Sequence, residues 1–121
     1  MSPNKLSVFM KQLRLNANDE TMTDMAKRLN ISVSYLSSIE NEKRNMTDEM
    51  YDLICRVYHL SLADRDELEY LKNLASKKMN VQLDDLDTSA KETTVKFLSN
   101  VDSLSEEDLA RINKIINKKG K

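Results

Sequence analysis

Residues 21–40, TMTDMAKRLNISVSYLSSIE, constrain the fold more than any other stretch of this chain. Thr21 is placed to cap a helix from Met22 to about Leu29, with Asp24 at its third position to help satisfy the free amides. Asn30, which tolerates left-handed backbone, follows where that helix has to end. Ser32 then caps a second helix, from Val33 to about Asn41. Met25, Ala26 and Leu29 share a face of the first helix, Leu36 and Ile39 share a face of the second, and Ile31 plugs the corner. Ala26 is small where the two axes cross, so they can come close. Val33, Ser34, Ser37 and Ser38 are left facing outward on the second helix. That surface is small, polar and uncharged, and it suits a helix lying in a groove.

The remainder of the chain reads as more helix. It has 121 residues with one glycine and one proline, and 40% of its residues are hydrophobic. That is enough for a packed core and favours an all-α chain. Ser2 and Pro3 are expected to cap and open a first helix to about Leu15, burying Leu6, Phe9, Met10 and Leu13. NANDE is the loop after it. Thr47 caps a fourth helix to about His59, with Asp48 and Glu49 in its positive first turn and Met50, Leu53, Ile54 and Val57 inward. Ser61 opens a fifth, LADRDELEYLKNLASKK, with Leu68, Leu71, Leu74 and Ala75 at helical spacing.

Residues 79–88 break this pattern and read as a linker, an extended stretch or short strand anchored by Val81, Leu83 and Leu86. A sixth helix follows Ser89, with Thr94, Phe97, Leu98 and Val101 in a stripe. A seventh begins at Ser105 with a capping-box pattern and carries Leu109, Ile112, Ile115 and Ile116 on one face. The chain therefore divides into a domain over 1–78, a linker, and a helical hairpin over 89–121. A lone hairpin leaves its stripes partly uncovered, so Phe97, Leu98, Val101, Leu109, Ile112 and Ile116 are the expected dimer or partner interface. The fourth and fifth helices, through Tyr58 and Tyr70, offer a second dimer surface.

The spaced pattern Met25-Ala26, Leu29-Asn30-Ile31-Ser32, Tyr35-Leu36 and Ile39-Glu40-Asn41, followed by Lys43 and Arg44, resembles the Cro/cI-type (Xre-like) helix-turn-helix DNA-binding proteins. With the flanking helices the resemblance covers roughly Leu6 to Leu62. It implies a five-helix lambda-repressor-like domain whose second motif helix enters the major groove of double-stranded DNA. It places Val33, Ser34, Ser37 and Ser38 at base edges, Val33 against a thymine methyl. The phosphate contacts it implies are Met22, Thr23, Lys27, Tyr35, Asn41, Lys43 and Arg44. Met22 departs from the family, many of whose members carry a phosphate-binding glutamine there. No Arg, Gln or Asn stands among the base-facing residues. An arginine at the position of Arg14 often pairs with a glutamate at that of Glu40, which implies a structural ion pair.

Charge sets a limit on that reading. Residues 1–60 hold eight basic and eight acidic side chains, and the net charge of the whole chain is −1. DNA affinity must then come from segregated charge, and weak, salt-sensitive binding is expected outside a specific site. Enzymatic readings have no support in the residues. There is no Gly-rich phosphate loop, metal-spaced cluster or cofactor motif, and one histidine with one cysteine cannot assemble a triad. Cys55 reads as a core residue and His59 as a helix-end residue, neither as a metal ligand. A single cysteine rules out an internal disulfide and suits a reducing cytoplasm. No apolar run reaches the roughly 18 residues of a membrane span, and the start lacks the pattern of a signal peptide.

Two functions from different classes remain open. One is a dimeric repressor reading a palindromic operator. The other is an antitoxin or adaptor whose C-terminal hairpin holds a protein such as a toxin, with DNA binding secondary.

Overall fold

The computed structural model describes residues 4–120, and every regular element among them is helical. It contains α1 (Lys5–Asn16), α2 (Met22–Arg28), α3 (Val33–Glu40), α4 (Asp48–Val57), α5 (Leu62–Ala75), α6 (Thr88–Asn100) and α7 (Glu106–Gly120). Short 3-10 turns occupy Leu83–Asp85 and Val101–Ser103. Among the described residues no helix is long and apolar enough to cross a membrane. The fold is all-α.

Each helix starts on a side chain that accepts the amide three residues ahead. Thr21 takes the Asp24 amide at 3.0 Å while the Asp24 carboxylate takes that of Thr21 at 3.0 Å, a reciprocal capping box. Ser32, Thr47 and Ser61 accept the amides of Tyr35, Met50 and Asp64 at the starts of α3, α4 and α5. Ser105 and Asp108 form a second reciprocal box at the start of α7. Such caps contribute about 1 kcal/mol each. The cap of α1 is Asn4, whose side chain accepts from the Ser7 amide at 2.7 Å and donates to the Glu40 carbonyl at 2.8 Å. Ser2 and Pro3, expected in that role, lie outside the described residues.

Helix ends are set by left-handed residues in a chain almost without glycine. Asn30 (φ 58°), Glu42 (φ 62°) and His59 (φ 51°) each follow the C-cap of α2, α3 and α4. The next amides reach back five residues, Ile31 to Ala26 at 2.9 Å, Lys43 to Ser38 at 2.9 Å and Leu60 to Cys55 at 3.0 Å. These are Schellman closures, which satisfy carbonyls left open at a helix end. The α1–α2 loop uses two consecutive left-handed residues, Asn18 and Asp19, and the Glu20 amide returns to the Arg14 carbonyl at 2.9 Å.

The chain forms two compact units that divide between Met79 and Asn80. In the first, Leu6, Met10, Met25, Ala26, Leu29, Leu36, Ile39, Met50, Ile54, Cys55, Leu68 and Leu71 are buried in one core. Met46 and Leu60, from the segments before α4 and α5, close it. Leu74, expected inward, is 58% exposed. At 100° per residue it sits about 120° around the helix from Leu68, whereas Ala75 returns to that face. α5 also ends three residues before Lys78, where Ser76 turns extended.

The second unit differs from the linker-and-hairpin expectation at its start. Where 79–88 reads as a linker, a 3-10 turn covers Leu83–Asp85 and Asp87 caps α6, so the helix opens at Thr88, before Ser89. No side chain over 80–118 is fully buried. Phe97, Val101, Leu109 and Ile112 are half-buried, whereas Val95, Leu98, Ile115 and Ile116 are exposed.

Candidate nucleic-acid interface

The α2–turn–α3 unit is held from beneath. Met25, Ala26 and Leu29 face Leu36 and Ile39 in the core, with Ala26 2% exposed where α2 and α3 meet. Beneath them Arg14 Nη1 donates to Glu40 Oε2 at 2.6 Å and Nη2 to Oε1 at 3.3 Å. Arg14 Nη1 also reaches Met25 Sδ at 3.3 Å, so this fork ties α1, α2 and α3 together. Both residues are buried, and burial of a charged pair is tolerable only because the geometry is two-pronged and the partners are complete. This pair is a strut beneath the motif, away from its outer surface.

On the outer face of α3 the four candidate base readers separate into two groups. Val33 and Ser34, in the first turn, are exposed. Ser37 and Ser38 are half-buried. Ser38 Oγ donates to the Tyr35 carbonyl at 2.7 Å, so its proton is already committed within the helix. Ser37 Oγ accepts from Asn41 Nδ2 at 3.1 Å. Side-chain bonds of this kind compete with reading a base edge.

The cations of this unit are likewise divided. Lys27 and Arg28 are neighbours and both are exposed, but the Arg28 guanidinium is engaged by the fold. Arg28 Nη1 pairs with Glu20 Oε2 at 2.6 Å, Nη2 donates to the Val57 carbonyl at 3.2 Å, and the guanidinium lies 4.5 Å over the Tyr58 ring. The Tyr58 hydroxyl donates to Glu20 Oε1 at 2.6 Å. Burial, with the Glu20 carboxylate beside it, pushes the Tyr58 hydroxyl well above its ordinary pKa. Sequence reasoning missed this Glu20–Arg28–Tyr58 cluster because its members lie far apart in the chain. It also occupies the Tyr58 edge considered as a dimer surface.

Lys43 and Arg44 are both exposed beyond the end of α3. Their amides donate to the single carbonyl of Ser38 at 2.9 and 3.1 Å, which fixes the backbone of the pair. The Arg44 guanidinium lies 5.7 Å from the Tyr35 ring centroid. Thr23 and Asn41 are exposed, and the Met22 side chain packs half-buried against the core. Met22 can therefore offer a phosphate only its amide.

A carboxylate stands in the same place. The Thr21 amide and hydroxyl hold Asp24 below the ordinary carboxylate pKa, so it is charged at neutral pH. Its charge lies in the first turn of α2, beside Met22 and Thr23. The sequence signals the cap; the charge held in the first turn of α2 becomes evident only with the carboxylate in place. No group of His, Cys, Asp and Glu among the described residues could hold a metal ion.

A protein-family model described as Helix-turn-helix matches residues 10–64. That span runs from α1 through the α2–turn–α3 unit to the start of α5, and the match supports the resemblance to Cro/cI-type (Xre-like) helix-turn-helix domains. The family is one of DNA-binding transcriptional regulators rather than of enzymes. No match to the chain was found among curated proteins, and none among solved structures.

Proposed function

We propose that the chain is a dimeric repressor that reads a pseudo-palindromic operator, with α3 in the major groove of each half-site. The observation that carries this reading is the arrangement along α3. Exposed, uncharged Val33 and Ser34 stand at its start, and Lys43 and Arg44, fixed through the Ser38 carbonyl, stand past its end. A helix built this way offers small side chains to base edges and cations to the flanking phosphates. Lys27, Thr23 and Asn41 extend the phosphate set. Ser38 acts through shape and packing more than as a reader, because its proton is committed to the Tyr35 carbonyl, whereas half-buried Ser37 accepts from Asn41 and keeps its proton to donate. Specificity then leans on DNA shape and on the spacing of two half-sites.

The test contrasts two substitutions in the full chain. Arg44→Ala weakens binding on every duplex and makes the salt dependence shallower, by about 0.9 in the slope of log K against log salt. Ser34→Ala changes preference at one base step and leaves the salt slope in place. Equal loss on all sequences from both changes removes Ser34 as a reader.

A second reading has its own support in the uncovered side chains of the second unit, Leu98, Ile115 and Ile116. An antitoxin or adaptor would use that surface for a protein partner such as a toxin, with DNA binding secondary. It predicts a chain that is monomeric alone and that selects no DNA sequence.

A further inference from the structure

We infer that Tyr35 is a positioning residue for DNA binding, acting through Arg44 by holding its guanidinium at the edge of α3. The inference rests on the reading of Arg44 as a phosphate contact and adds to it the part that orients the cation. An arginine on a loop loses rotamer freedom when it binds a phosphate, and a surface that restricts it beforehand reduces that loss. The Tyr35 ring is such a surface.

The backbone that carries it is held at two points and the ring itself at one. Its amide is capped by Ser32 Oγ at 3.0 Å, its carbonyl accepts Ser38 Oγ at 2.7 Å, and its ring packs half-buried against the core. Ser38 also accepts the Arg44 amide at 3.1 Å, so ring and guanidinium are both referenced to one residue of α3. The separation of 5.7 Å lies inside the range over which a cation is attracted to an aromatic face. Among the described residues Arg44 has no carboxylate within ion-pair distance to compete for it. Arg28 shows the contrast. It lies closer to its ring, at 4.5 Å, but it is also paired with Glu20 and bonded to the Val57 carbonyl. Arg28 is consumed by the fold, whereas Arg44 is oriented and left with its charge unspent.

The experiment is fluorescence anisotropy of the full chain on a random-sequence duplex across a salt series. It uses Tyr35→Leu, Tyr35→Phe, Arg44→Ala and the double variant Tyr35→Leu/Arg44→Ala. Tyr35→Leu is expected to weaken binding about two- to fivefold, the size of the freedom one long side chain loses on being immobilised. It also moves the salt slope toward that of Arg44→Ala. Tyr35→Phe, which keeps the ring, recovers both, and Tyr35→Leu costs nothing further once Arg44 is gone. Equal losses from Tyr35→Leu with and without Arg44 overturn the inference. So does a loss in Tyr35→Phe as large as in Tyr35→Leu, which makes the hydroxyl a direct contact. A weakened Tyr35→Leu with an unmoved salt slope and a lowered Tm also overturns it, as a packing effect. If Arg44→Ala changes neither affinity nor slope, the phosphate reading of Arg44 fails first, and the inference falls with it.

Discussion

Arg14 and Glu40 have the largest stake in the fold of any two side chains here. Their fork is buried at 8% and 3% exposure, and removing either end leaves a charge in the core without its partner. Arg14→Met is therefore expected to destabilise the first unit by about 3–5 kcal/mol, whereas Arg14→Met with Glu40→Leu costs much less. Urea unfolding of both variants checks this. The pair was legible only through a family resemblance. Nothing in the spacing of residues 14 and 40 fixes a contact, which depends on the left-handed turn at Asn18 and Asp19. Asp24 shows the reverse case, a residue whose local role was readable and whose wider effect was not. Its folded pKa is depressed, so its cap contribution is present above the ordinary value of 3.8 and is lost as pH falls through the lower folded value. An NMR titration should show the Thr21 amide resonance moving only in that acid range. Asp24→Asn keeps an acceptor for the cap and removes the charge, so it should tighten binding to random DNA several-fold at low salt. Unchanged anisotropy would mean that no phosphate approaches α2.

Helices, as elements, were the most readable part of the chain. Thr21, Ser32, Thr47, Ser61 and Ser105 each name a helix start in the sequence, because a cap is a local interaction over three residues. Helix ends were less readable. Asn30 announces its left-handed backbone and His59 does so more weakly, but Glu42 adopts the same conformation with no compositional signal. Each of those turns leads to a residue buried in the core, Met46 after Glu42 and Leu60 after His59, and that burial depends on residues far along the chain. A β-carbon in this region costs roughly 1–2 kcal/mol, partly offset by the chain entropy that glycine adds. His59→Gly is thus expected to stabilise the first unit by about 0.5–1 kcal/mol, seen as a rise of a few degrees in Tm. His59→Val, β-branched at positive φ, should lower it. The candidate site follows the same logic. Exposed Val33 and Ser34 follow from helical period, while the capture of Arg28 by Glu20 and Tyr58 joins three segments and leaves no mark in local pattern.

At the scale of the whole molecule the two units have different needs. The first has a core of its own; the second has no fully buried side chain over 80–118 and exposes Leu98, Ile115 and Ile116. Association through that surface is expected to make the chain a dimer. Leu98→Glu with Ile116→Glu should then give a monomer in light scattering with the melting of the first unit unchanged. A dimer that survives both changes would move the interface elsewhere. The central claim is that α3 reads a two-fold operator, and selection of bound fragments from random duplex DNA by the full chain tests it most directly. Enrichment of a pseudo-palindrome with half-sites about one helical turn apart is the predicted result. No enriched sequence, or an enriched site without two-fold symmetry, would contradict it.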